Sequence, residues 1–365
     1  MTQLARLLLC LLLTTGCAAP TAQSSSRSDD AIRRAAAFLW SQQGDDGGWH
    51  SQTYGLLRSG QSLTPFVLNA LLQVPPDIFP MDKGRVNAAL DFIVRHTDAN
   101  GAVGRIDSTV EDYPNYATAL AVQAIARARR EGWQNRIAPM IAWLRRQQFT
   151  EEIGWTRDHP AFGAWGMGGR LRTPPDAGQV DLSMTRYVLE AFAAASIKAD
   201  DPAVKRAEIF LRRCQNDDGG FLFSPVVREA NKAGGDGNRI NSYATATGDG
   251  ILALLAMGVS PGDARVVGAG KWLRENHLPD RAGGFAANDP REIWSKSLRY
   301  YCAAASTKAF RQLNMSEPFP GLFASIARDQ RADGSWVNPF PLQKEDDPLV
   351  AATLALMALT ASVGE

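Results

Sequence analysis

"FLWSQQGDDGGW" (38–49), "WLRRQQFTEEIGW" (143–155), "FLRRCQNDDGGF" (210–221) and "IARDQRADGSW" (326–336) are four versions of one phrase. Each runs from an aromatic or aliphatic residue to a Gln, then through an acidic, Gly-rich turn to an aromatic residue. Weaker copies stand at 92–104 ("FIVRHTDANGAVG") and 272–285 ("WLRENHLPDRAGGF"). The turn glycines Gly47, Gly101, Gly154, Gly219, Gly283 and Gly334 recur about every fifty to sixty-five residues, the period of a repeat architecture. Six copies fill the chain.

Each copy ends an amphipathic stretch. In 202–214, Val204, Ala207, Ile209, Phe210 and Leu211 form an apolar stripe, and Lys205, Arg206, Arg212 and Arg213 line the other side. Matching helices are expected near 29–43, 83–97, 136–148, 263–277 and 319–330, stopped by glycines that accept positive φ. A second kind of helix follows each turn. "ATALAVQAIARA" (117–128), "MTRYVLEAFAAA" (184–195), "GILALLAMG" (250–258) and "LVAATLALMALTA" (349–361) are Ala/Leu-rich and charge-poor, as buried helices are. Six of these are expected near 64–74, 115–130, 182–197, 243–257, 293–309 and 348–362. Thr64-Pro65 and Asp347-Pro348 pair an N-cap with a first-turn proline, and Asp181 can cap the third. Outer and inner helices alternating six times predict an all-α (α/α)6 barrel; an open helical solenoid is the alternative.

The phrase resembles the QW repeat of squalene-hopene cyclases and the related repeats of protein prenyltransferase β-subunits, over nearly the whole chain after its first residues. The resemblance implies an α/α toroid of the terpenoid cyclase and prenyltransferase type. It also implies structural roles for Gln43, Gln148, Gln215 and Gln330, bonded across their turns, and for the aromatics Trp49, Trp155, Phe221 and Trp336. It does not name a reaction, because chemistry belongs to the site and not the fold. A class II cyclase carries a D-x-D-D acid, and the nearest match is Lys344-Glu345-Asp346-Asp347, in which Lys replaces the first Asp. Prenyltransferases hold zinc with Asp, Cys and His; no D-x-C occurs, and His50, His96, His159 and His277 are scattered, so no metal or cofactor is expected.

The first residues read as an export signal. Arg6 precedes the apolar run Leu7–Leu13, too short to span a bilayer, and small residues follow as far as Cys17. Leu13-Thr14-Thr15-Gly16-Cys17 resembles a bacterial lipobox, which implies a lipidated Cys17 and a place in the cell envelope, in the periplasm or at the outer membrane. On this reading 1–17 is signal, 18–30 a Ser-rich tether and 31–365 one toroid domain. With 39 basic and 38 acidic side chains, a nucleic-acid partner is not expected. Cys214 and Cys302 read as buried free thiols.

The outer-to-inner loops (44–62, 98–114, 149–180, 216–242, 278–292, 331–347) are long and gather beside the inner N-termini, where partial positive charge tolerates a polar head group. Candidate acid–base residues there are Asp181, Asp346 and Asp347. Candidate ligand-binding residues are Tyr54, Arg58, Tyr116, Trp165, Tyr243, Trp294, Lys296 and Arg299. Each also has a bland role as a cap or a satisfied rim group. Three readings follow: an enzyme acting on a lipid or isoprenoid-like small molecule inside the ring, a non-catalytic envelope lipoprotein that binds a polymer or protein at the mouth, and a secreted (α/α)6 glycosidase or lyase, which needs two facing carboxylates.

Overall fold

The computed structural model describes residues 21–105 and 111–361, with the side chains of 21–27 left out; Cys17 and the export segment lie outside the described residues. Thirteen α-helices are found among them. The outer ones are α1 (Thr21–Ser41), α3 (Lys83–Arg95), α5 (Ile137–Arg146), α7 (Pro202–Cys214), α9 (Ala264–Glu275) and α12 (Phe319–Arg328). The inner ones are α2 (Leu63–Leu71), α4 (Pro114–Ala128), α6 (Leu182–Ala194), α8 (Ala244–Ala256), α11 (Arg299–Gln312) and α13 (Pro348–Thr360), with the short α10 (Glu292–Ser297) before α11.

The inner helices pack in the cycle α2–α4–α6–α8–α11–α13 and back to α2, and α1 lies against α13, α2 and α12. The first and last repeats therefore meet. The molecule is a closed (α/α)6 toroid and not an open solenoid. Its logic is that of the sequence: α13, without a charged residue, is buried almost throughout, whereas α7 buries Val204, Ala207, Phe210 and Leu211 and exposes Lys205 and Arg212.

Four glutamines fasten neighbouring repeats. Gln43 Nε2 donates to Gly47 O (2.9 Å) and, across the seam, to Arg85 O of α3 (3.0 Å). Gln148 reaches Gly163 O (2.9 Å) and Ala203 O of α7 (2.8 Å). Gln215 reaches Gly219 O (3.1 Å) and Arg265 O of α9 (2.9 Å). Gln330 reaches Gly334 O (3.1 Å) and Ala31 O of α1 (3.0 Å), joining repeat 6 to repeat 1. The turn glycines let the outer helices come this close: a Cβ on Gly47 (φ +88) would stand 2.4 Å from Ala88 O.

Three sequence expectations shift. In repeat 3 the glycine that Gln148 bonds is Gly163, fifteen residues on rather than four, and the Trp at the repeat position is Trp165, not Trp155. Trp165 Nε1 donates to Leu144 O (2.6 Å) as Trp49 does to Leu39 O (2.6 Å) and Trp336 to Ile326 O (2.8 Å). Trp155 belongs to the insertion that displaced the turn and donates to Arg172 O (2.9 Å). The fifth inner helix breaks at Leu298 into α10 and α11, because Glu345 of repeat 6 accepts the backbone N–H groups of Tyr300 (3.0 Å) and Tyr301 (2.8 Å) and so starts a new helix there. Finally, among the described residues α1 takes in 21–30, part of the stretch expected as a tether, which is therefore helical. No Gly or Pro interrupts 21–41. Cys214 and Cys302 are buried and unpaired.

Candidate functional site

The inner N-termini surround a cavity of about 400 Å³, within the range of small-molecule pockets. Its two sides differ. Repeats 1 and 6 supply Leu57, Leu63, Phe66, Val350 and Leu354, a largely apolar wall. Repeats 3 to 5 supply Gln179, Asp181, Ser183, Lys232, Thr245 and Tyr301. Tyr116 lies at the junction, its ring 4.5 Å from that of Tyr187 and 6.3 Å from that of Phe66.

Asp181 is the only carboxylate lining this cavity among the described residues. As the N-cap of α6 it accepts Met184 N–H (2.8 Å) through Oδ1, and Gln179 Nε2 approaches Oδ2 at 3.3 Å. It is 2% exposed. Burial pushes its carboxyl up to about 6, only partly offset by the Met184 amide, Gln179 and Lys232. Asp181 therefore takes and releases a proton near neutral pH. Lys232 is pushed the other way, down, by burial, against the pull of Asp181. Its ammonium sits 4.2 Å from the Trp294 ring centre.

Below the cavity the ring axis is closed by charge. Arg186 of α6 pairs with Asp249 of α8 (3.1 Å) and Glu190 of α6 (3.2 Å), and Lys308 of α11 pairs with Glu190 (2.8 Å). Tyr301 donates to Asp249 (2.9 Å) and is hydrogen-bonded to Ser183 above it. Burial works against the Arg186 charge, but Glu190 and Asp249 outweigh it. Burial raises Asp249 to about 6 despite Arg186 and Tyr301. A void of only about 40 Å³ remains beside this network, and beyond it the inner C-termini frame a separate open depression of about 850 Å³.

Of the residues singled out from sequence, Asp181, Tyr116 and Tyr243 line the cavity. Trp294 borders it through Lys232. The others point elsewhere. Asp347 caps its own helix at Leu349 N (2.8 Å) and holds the Ser51 hydroxyl; Asp346 holds the Tyr54 hydroxyl. With Glu345 on α11, the acidic run that resembles an acid motif is shared among three repeats as structural acceptors, and only Lys344 faces the cavity. Tyr54 is turned to Asp346, Arg58 is exposed beside Leu57, and Trp165 is completely buried in its repeat. Lys296 pairs with Glu292 (3.9 Å), and Arg299 is tied to Ser325 (3.0 Å) and Asp329 of the outer layer. Sequence reading missed Lys232, Ser183, Thr245, Asp249 and Tyr301. The one signal available was charge on otherwise apolar inner helices, at Arg186, Asp249 and Lys308. Among the described residues no three His, Cys, Asp or Glu side chains converge as metal ligands.

The geometry defines a protein of the α/α-toroid class. Among solved structures, the chain is similar to a variant of the type II terpene cyclase MstE from Scytonema bound to its substrate geranylgeranyl dihydroxybenzoate (TM-score 0.61, 15% identity, covering 93% of this chain and 99% of that one). It is equally similar to the unsaturated glucuronyl hydrolase of Bacillus sp. GL1, which degrades glycosaminoglycan (TM-score 0.61, 12% identity, 92% and 95% covered). A protein from Actinoplanes matches at TM-score 0.58 and 16% identity, with 92% and 100% covered. At these identities the likeness establishes the fold. No protein-family model and no curated protein matches the sequence.

Proposed function

We propose that the chain is an enzyme acting on a small amphipathic molecule held in the cavity at the inner N-termini, with Asp181 as its proton donor. The observation that carries this reading is a buried carboxyl near 6 on the polar side of a cavity whose other side is hydrocarbon. An acid of this strength suits transfer to a developing oxyanion or leaving oxygen better than protonation of an alkene, which needs a far stronger acid. The ligands of the cyclase and the hydrolase of the same fold supply the two chemistries to try first, isoprenoid-like and carbohydrate. Glycoside cleavage by two carboxylates lacks its second member, since Asp181 is alone on the cavity wall among the described residues.

The test is incubation with pools of isoprenoid alcohols, isoprenoid benzoates and unsaturated uronides, followed by mass spectrometry. Turnover should fall as pH rises through about 6, as Asp181 loses its proton, and Asp181→Asn should lower it about 100-fold. Ligands that raise the melting temperature without being converted would favour the second reading, a binding protein, for which the charge-filled axis speaks.

We propose as well that the chain is exported and tethered through Cys17. A diacylglyceryl Cys17 in the membrane fraction is the expected result, and a mature N-terminus downstream of Ala19 would refute it.

A further inference from the structure

Four inner helices have their N-terminal region met by a carboxylate. Asp181 and Asp347 cap α6 and α13 from their own N-cap positions. Glu345 reaches α11 from repeat 6, and Asp112 of repeat 2 accepts the Ser62 amide (3.0 Å) and hydroxyl (2.6 Å) just before α2. The other two, α4 and α8, have none among the described residues; α4 opens on Pro114, which has no N–H, and its next amide, of Asn115, donates to Met167 O (3.1 Å), which leaves the thirteen-residue α8. Its N-cap is Tyr243, whose side chain makes no capping bond, so the positive end of this helix meets no anion of its own.

Two further groups converge there. Thr245, in the first turn of α8, is 3% exposed and lines the cavity, yet its hydroxyl has no oxygen or nitrogen partner and is left to the weakly accepting thiol of Cys302. A buried hydroxyl with no stronger acceptor than a thiol is under-satisfied, and such groups in folded proteins call for a cause. Lys232 lines the same cavity, half-buried, with an aromatic ring and no ion pair within 4 Å among the described residues. Lys344, across the mouth, contacts the rings of Tyr54 (5.7 Å) and Tyr113 (5.8 Å) and is likewise without an ion pair among them. The cavity thus holds two ammonium groups without a close ion pair, and one carboxyl, Asp181, that acts on Lys232 from a distance.

We propose that the first turn of α8, the Thr245 hydroxyl and the Lys232 ammonium form an anion subsite, which receives a carboxylate or phosphate group of the ligand. The amides of Thr245 and Ala246, with Ala244 N–H already given to Gly283 O (2.9 Å), and the hydroxyl donate to its oxygens, the ammonium offsets its charge, and the hydrocarbon part lies on Phe66, Leu63 and Leu354. This rests on the reading of the cavity as the ligand site and adds the chemical class of the ligand. Asp181 tunes it: protonated, it leaves the cavity two positive charges, and ionised it cancels one, so anion affinity falls as pH rises through about 6.

Calorimetric titration of the whole protein with hexyl phosphate, hexanoate and hexanol tests the subsite. At least one anion should bind tenfold or more tighter than hexanol at pH 5.5, and the comparison of the two anions tells phosphate from carboxylate. Lys232→Met should cost that anion about tenfold and Thr245→Val several-fold, with hexanol unaffected. Asp181→Asn should flatten the dependence on pH between 5 and 7. Equal binding of hexanol and both anions would overturn the subsite and leave the ligand cavity standing. Anion affinity unchanged in folded Lys232→Met, confirmed by its melting temperature, would overturn it too. Binding of none of the three would overturn the cavity reading itself.

Discussion

The two halves of the inner ring do the same packing work with different chemistry. In one half, α13 and α2 carry no charged residue; they meet their neighbours through Leu, Val, Ala and Phe and turn the apolar wall to the cavity. In the other, α6, α8 and α11 occupy equivalent places but thread Arg186, Glu190, Asp249 and Lys308 through the axis. Packing alone does not require the second arrangement, since the first achieves closure without it. Buried ion pairs are seldom more stabilising than the apolar packing that would replace them. The charged half therefore gains nothing in packing over the apolar half, and it is the half that carries Asp181, Thr245 and Lys232.

Removing one partner from the charged half should have the largest effect. Arg186→Met strands Asp249 and Glu190 and is expected to cost about 4 kcal/mol at pH 7 by urea denaturation, and less at pH 5, where Asp249 takes a proton. In the apolar half, Leu354→Ala should cost about 3 kcal/mol through the space it leaves, equally at both pH values. If the two variants share one pH profile, the contrast between the halves fails.

Asp181 gives the comparison a sign. Its folded value, about 6, lies above the 3.8 of an ordinary Asp, so the unfolded chain loses this proton first. Wild-type stability should fall relative to Asp181→Asn as pH rises from 4 to 6 and then level off, a difference of about 3 kcal/mol. Asn keeps the cap, so a gap that does not change with pH would mean that the carboxyl titrates normally in the fold.

The smaller effects belong to what the halves share. Gln215→Ala removes both bonds of a staple between repeats 4 and 5 and should cost about 2 kcal/mol. Asp347→Ala should cost about 1 kcal/mol through a lost cap, leaving any activity intact. Loss of activity at unchanged melting temperature would reverse the structural role assigned to Asp347.

What was legible in the sequence follows the same division. Charge-poor helices such as 349–361 announce burial by composition alone, and Asp181 announces itself as a helix start. Gln43, Gln215 and Gln330 are readable because each bonds a glycine four residues on, so the contact is local. Gln148 kept its role, but the insertion after it moved the turn out of the expected spacing and promoted the wrong tryptophan. The KEDD run (344–347) looks like one motif because its residues are adjacent in the chain; in space its carboxylates serve three repeats. Lys232 and Thr245 belong to repeat 4 and Tyr301 to repeat 5, and they meet Asp181 of repeat 3 only through the packing of neighbouring repeats. No spacing along the chain encodes that meeting.

The bond from Gln330 to Ala31 also bears on how the molecule is made. The ribosome delivers α1 and α2 before the others, yet one side of each is covered by α12 and α13, more than 250 residues later by the numbering. Until the last repeat emerges, a nascent chain presents one flank of the apolar α2 to whatever surrounds it. Emergence of the sixth repeat, and not the completion of the first, is the moment at which the first repeat is fully covered.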